Sequence, residues 1–121
     1  MRILVIDDEV EVANLLAEAV RLEGHESMVA YDGGTGLASI DRERPDAVFL
    51  DVRLPDVSGI EVLRRIRRSA AAPLPVVLIT GHGREEEIEE ARRLGVTEVV
   101  HKPEVLANLT AAIAALRAPH R

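Results

Sequence analysis

Ile3-Leu4-Val5-Ile6-Asp7-Asp8-Glu9 places four consecutive apolar residues directly before three acids. An unbroken apolar run of this length is the pattern of a strand covered on both faces, as in a parallel sheet between layers of helices. Two further runs share it: Ala47-Val48-Phe49-Leu50, ending at Asp51, and Val76-Val77-Leu78-Ile79, ending at Thr80. The segments near 25–30 and 96–101 are more mixed, with His25, Glu26 and Ser27 in one and Thr97 and Glu98 in the other, and read as edge strands. Between the strands, apolar residues recur at helical spacing. Val12, Leu15, Leu16, Ala19 and Leu22 form a first stripe, and Leu37 with Ile40 a weaker second. Ile60, Leu63 and Ile66 form the third, Ile88, Ala91 and Leu94 the fourth, and Leu106, Leu109, Ile113 and Leu116 the last. Gly24 and Gly95 follow the first and fourth stripes, where a left-handed helix cap favours glycine. Alternating β and α units with three buried central strands predict an α/β, doubly wound, five-stranded parallel sheet of order 2-1-3-4-5 with five helices, a flavodoxin-like architecture.

The 121 residues suffice for one domain with a core, and 47% hydrophobic against 30% charged residues argues for a folded chain. Fifteen basic and 21 acidic residues leave a net charge of -6, which argues against direct nucleic-acid binding and against attraction to anionic lipid. The apolar run at 3–6 is too short for a signal-peptide core or a membrane span, so a cytoplasmic location is expected. With no cysteine, thiolate catalysis and cysteine-based zinc sites are excluded.

In a doubly wound sheet, ligands bind beyond the carboxyl ends of the strands, where strand order reverses. Asp7-Asp8, Asp51, Thr80 and Lys102-Pro103 follow the first, third, fourth and fifth strands and should share that rim. Two carboxylates about 4 Å apart near a protein surface repel by about 4 kcal/mol, so three of them call for protons or a cation beyond the single Lys102. An all-oxygen cluster suits a hard cation such as Mg²⁺, which leaves coordination positions to water and phosphate oxygens. A carboxylate can then be the nucleophile in phosphoryl transfer, with the Lys102 amine and the Thr80 hydroxyl available to the phosphoryl oxygens. Taken singly, each residue has an ordinary structural explanation; their conjunction at four strand ends in the right order does not.

Ile3–Glu9, Phe49-Leu50-Asp51-Val52-Arg53-Leu54-Pro55-Asp56-Val57-Ser58-Gly59, Leu78-Ile79-Thr80-Gly81 and His101-Lys102-Pro103 resemble the four signatures of the response-regulator receiver family of two-component signalling, over residues 1 to about 118. The resemblance implies one receiver domain at 1–118 with a tail at 119–121. It implies a phosphoacceptor rather than an enzyme in the ordinary sense, with Asp51 taking a phosphoryl group from a sensor histidine kinase or phosphotransfer protein. It further implies Mg²⁺ held by Asp7, Asp8, Asp51 and the main-chain carbonyl of Arg53, contacts from Thr80 and Lys102 to the phosphoryl group, a cis Lys102–Pro103 peptide, and homodimers or outputs through the fourth helix, fifth strand and fifth helix. Arg53 and His82 stand at the two positions from which the family tunes hydrolysis. One departure is Val99, where receivers usually carry a Tyr or Phe that changes rotamer on activation. It supports an alternative, a phosphorylation-independent receiver acting as a protein-interaction module.

Other features take plainer readings. Gly33-Gly34-Thr35-Gly36 lacks the Lys-Ser/Thr ending of a phosphate loop and reads as a turn into the second helix. The acids from Glu85 to Glu90 and the arginines at 64–65 and 67–68 read as solvated helix faces. A dinucleotide-binding enzyme should show Gly-x-Gly-x-x-Gly after the first strand, where Asp7-Asp8-Glu9 stands instead. A haloacid-dehalogenase-like phosphatase needs an acid two residues after its nucleophile, and Arg53 occupies that place.

Overall fold

Five parallel strands, β1 (Arg2–Ile6), β2 (Glu26–Ala30), β3 (Ala47–Asp51), β4 (Val76–Thr80) and β5 (Glu98–His101), form one sheet of order β2-β1-β3-β4-β5 in the computed structural model, as the apolar runs predict. The structure describes residues 1–69, 71–81, 84–104 and 107–117. Among these residues the strands alternate with α1 (Val10–Leu22), α2 (Gly33–Glu43), α3 (Gly59–Arg67), α4 (Glu85–Arg93) and α5 (Leu109–Arg117). None of these helices is long and apolar enough to cross a membrane. Leu106, placed in the last stripe by its spacing, and residues 118–121 lie outside the described residues.

Because strand side chains alternate in direction, each central strand feeds two cores. Ile3, Val5, Ala47, Phe49, Val77 and Ile79 pack with Leu16, Val20, Ile113 and Leu116 from α1 and α5. Leu4, Ile6, Val48, Leu50, Val76 and Leu78 pack on the other face with Ile40, Leu63, Ile66 and Ala91 from α2, α3 and α4. Burying each of the larger side chains contributes on the order of 1.5–3 kcal/mol relative to exposure, so the three central strands fix the sheet. β2 and β5, only partly covered, are the edges.

The first helix corrects its predicted stripe. Leu16 is buried as expected, but its partners in the core are Ala13, Ala17 and Val20, while Leu15 is 53% and Leu22 80% exposed. The helix is rotated so that two alanines face the sheet, where their small side chains allow close approach. The expected glycine caps are present: Gly24 has φ +88° and Gly95 φ +76°. Arg44, capping α2 at φ 49°, adopts the same region without the freedom of glycine.

The supposedly solvated charges of α3 and α4 meet across the helix pair. Arg64 donates to both oxygens of Glu90, Nε at 2.6 Å and Nη2 at 2.7 Å, and Nη1 donates to Glu61 at 3.0 Å. Arg67 donates to the carbonyls of Leu94, Ala72 and Leu74, satisfying a helix end and the turn before β4. α2 starts at Gly33 rather than after a phosphate loop, and its anion is internal. The Asp56 carboxylate accepts from the amides of Gly33, Gly34 and Val57 at 2.8–2.9 Å, and these bonds hold it down at about 2.

Gly59 opens α3 against the end of β3. A Cβ there would lie 2.1 Å from the Asp51 carbonyl oxygen, and the Gly59 amide donates to the Val52 carbonyl at 2.8 Å. Both neighbours are backbone and cannot turn aside. Gly59→Ala is expected to destabilise the protein by about 1–3 kcal/mol, read as a lower urea midpoint with unchanged slope. An unshifted midpoint would show that the loop gives way freely.

Candidate functional site

The sheet delivers the acids to one rim. Asp7 follows β1 and is fully buried; Asp51 ends β3 with 2% of its surface exposed; Asp8 is exposed. One carboxylate oxygen from each of the three can be chosen so that all lie within 4.8 Å of one another. Lys102, entering a single 3-10 turn after β5, reaches across with Nζ at 3.1 Å from Asp7 Oδ1, 3.0 Å from Asp51 Oδ2 and 2.8 Å from Glu9 Oε1. Strands β1, β3 and β5 thus bring together residues separated by up to 95 positions.

The electrostatics follow from this crowding. Burial pushes the Asp7 carboxyl up to about 6; the Asp51 charge adds to the rise, while the Glu9 amide and Lys102 oppose it. Burial works against the Lys102 ammonium, but hydrogen bonds to Glu9, Asp51 and Asp7 outweigh it and hold the amine above its ordinary value. One amine therefore serves three acids, Asp7, Asp51 and Glu9, where the sequence pointed to Asp7, Asp8 and Asp51.

Asp51 Oδ1 accepts the Arg53 amide at 3.2 Å, and Asp7 Oδ1 accepts the Glu9 amide at 2.9 Å. Two buried polar atoms have no hydrogen-bond partner among the described residues: Asp7 Oδ2 and Thr80 Oγ1. Buried polar atoms of this kind cost about 1–3 kcal/mol each when unsatisfied, so both invite a ligand. An acidic oxygen beside a three-carboxylate cluster and a hydroxyl at the end of β4 fit a hard cation and an oxyanion respectively.

Asp7, Asp8, Asp51 and Lys102 therefore converge as the sequence predicts, and Thr80 ends the strand beside β3. The Arg53 guanidinium lies 3.5 Å from Glu87 Oε1, a pairing the sequence did not suggest. His82 lies outside the described residues. The cis Lys102–Pro103 linkage implied by the resemblance involves the Pro103 ring, which lies outside the described side chains; the chain turns directly into a 3-10 turn at Lys102–Glu104. Val99, opposite Leu78 on β4, packs partly buried against the core shared with α3 and α4. Sequence reasoning missed Glu9: its contact with Lys102 spans 93 positions and is set only when β1 and β5 share a sheet.

A sequence model of the family described as the response regulator receiver domain matches residues 3–114. The probable transcriptional regulatory protein TcrX of Mycobacterium tuberculosis is 41% identical over 84% of this chain and 43% of its own. Sporulation initiation phosphotransferase F of Bacillus subtilis is 33% identical over 84% of this chain and 82% of its own. A solved receiver domain protein, CheY-like, from Methanospirillum hungatei superposes with a TM-score of 0.88 at 26% identity, over 93% of this chain and 90% of its own. The chain spans less than half the length of TcrX and of several other curated relatives that it matches.

Proposed function

Since the chain belongs to the response regulator receiver domain family of two-component signalling, we propose that Asp51 is the residue that takes the phosphoryl group. The observation that carries this reading is the buried Asp51 carboxylate, held by the Lys102 amine and the Arg53 amide at the centre of the acid cluster. Asp7, Asp8 and Asp51, with the main-chain carbonyl of Arg53, would hold Mg²⁺. When bound, Mg²⁺ supplies the positive charge that the carboxylates and the entering phosphoryl oxygens share. Asp51 attacks phosphorus; the bond to the donor's leaving group breaks, and that group departs with the electron pair. Lys102 and Thr80 receive the oxygens of the transferred group, which gives the Thr80 hydroxyl a partner. The domain signals, and its chemistry is confined to acquiring and losing its own phosphoryl group. The test is incubation with acetyl phosphate and Mg²⁺ followed by intact mass. A gain of one phosphoryl group supports the reading; none, in correctly folded protein, removes it. Residues 1–118 form the proposed unit, with 119–121 as a tail. The interaction-module alternative still rests on Val99, and the convergence of Asp7, Asp8, Asp51 and Lys102 argues against it.

The physiological donor is proposed to be a sensor histidine kinase or a phosphotransfer protein, docking on α1. This helix starts two residues after Asp8, and its outward face carries the exposed Val10, Leu15 and Leu22. Val10 stands beside the acid rim, and Leu15 and Leu22 continue an exposed apolar surface along the helix away from it, which suits a partner helix that presents a phosphohistidine. Leu15→Ala with Leu22→Ala should lower phosphotransfer from the kinase about tenfold or more, while uptake from acetyl phosphate stays unchanged. An equal fall with both donors would place the effect in the site instead of the surface. A homodimer through α4, β5 and α5 belongs to the same proposal, since β5 is the outer strand of the sheet on that side.

A further inference from the structure

Arg53 and Glu87 tie the segment after Asp51 to the start of α4. The Arg53 amide donates to Asp51 Oδ1 at 3.2 Å, so its backbone abuts the carboxylate, while its Nη2 lies 3.5 Å from Glu87 Oε1. That same Glu87 oxygen accepts the Arg84 amide at 3.1 Å and so closes the first turn of α4. One oxygen thereby links the β3–α3 segment to the helix start. The Arg53 side chain is 55% exposed, so solvent screens the pair and its strength is modest.

A phosphoryl group on Asp51 would bring about two negative charges and three strong acceptor oxygens to a point two residues from Arg53. A guanidinium binds phosphate oxygens through paired N–H donors, a better partner than a screened carboxylate at 3.5 Å. We infer that Arg53 exchanges Glu87 for the phosphoryl group, so that phosphorylation removes this tie between the β3–α3 segment and the first turn of α4. The inference rests on the reading of Asp51 as phosphoacceptor. It supplies a route from the site to α4 that needs no aromatic at position 99. The far end of α4 stays anchored: Arg64 holds Glu90 through two bonds, and Arg67 donates to the carbonyls of Leu94 and Gly95. The change is therefore a loosening of one helix end, with the last turn at rest.

The test is amide NMR of the full chain with and without acetyl phosphate and Mg²⁺, with phosphoryl occupancy taken from intact mass of the same samples. In the wild type, the amides of Arg84 to Ile88 should shift on phosphorylation while those of Leu94 and Gly95 stay. Glu87→Gln keeps an oxygen that can accept from Arg84 and removes the charge that holds Arg53. Its first-turn amides should start displaced, and their phosphorylation-dependent shift should be at least about twofold smaller than in the wild type. A merely structural role for Glu87 would move both states alike and leave the difference unchanged. Full phosphoryl occupancy with unmoved first-turn amides, or a Glu87→Gln shift as large as that of the wild type, overturns the exchange alone. A wild type that gains no phosphoryl group overturns the phosphoacceptor reading, and the exchange with it.

Discussion

Asp51→Asn is expected to abolish phosphoryl uptake: after incubation with acetyl phosphate and Mg²⁺ the wild type gains the mass of one phosphoryl group and the variant gains none. The expectation turns on chemistry more than on folding. Asparagine has nearly the shape of aspartate and can keep the Arg53 amide as a donor to its oxygen, so β3 and the first turn beyond it should form as before. What it lacks is the anionic oxygen that attacks phosphorus. The neighbouring acids are poor substitutes. Asp7 is fully buried and tied through Oδ1 to the Glu9 amide and to Lys102; Asp8 is exposed and lacks the lysine contact that Asp51 has among the described residues. A normal circular dichroism spectrum and thermal transition would show that the loss is chemical. A variant that still gains a phosphoryl group would move the acceptor to another side chain and remove the assignment.

The parts of the fold legible in the sequence were those where one face or one strand end decides the answer. Buried parallel strands are apolar on both faces, so β1, β3 and β4 stand out without any alternation to decipher. The strand ends follow, and with them Asp7, Asp51 and Thr80. α1 was not legible in the same way. Its apolar residues fill two adjacent stripes, 12, 15, 19 and 22 beside 13, 16, 17 and 20, and periodicity favours the larger side chains. The sheet selects the second stripe, in which two alanines lie against the strands, and leaves the leucines of the first outside. Partners chosen by tertiary contact were equally hidden. Nothing near Arg64 indicates Glu90, 26 residues on, and nothing near Glu9 indicates Lys102. Charge runs on helices carry no signal that separates solvated faces from helix-pair clamps, because both are built from the same residue types.

Asp7→Asn is expected to act in opposite directions with and without metal. Unfolded, the Asp7 carboxyl titrates near the ordinary aspartate value of 3.8; folded, burial raises it to about 6. Between those values the folded state binds more protons than the unfolded state, so in the metal-free protein this group makes stability fall as pH rises. The full cost is reached above pH 6 and is on the order of a few kcal/mol at most. Asparagine carries no charge to bury. Without Mg²⁺, the variant should therefore melt higher than the wild type at pH 8, and the two should converge towards pH 4. With Mg²⁺ the order reverses. Cation binding stabilises the wild type by mass action, whereas the variant has lost an anionic ligand and should bind Mg²⁺ at least about tenfold more weakly. Thermal melts at pH 5 and pH 8, each with chelator and with Mg²⁺, read all four states. A variant that melts below the wild type in chelator at pH 8 would show that Asp7 serves the fold through its bonds to the Glu9 amide and Lys102 more than its buried charge strains it.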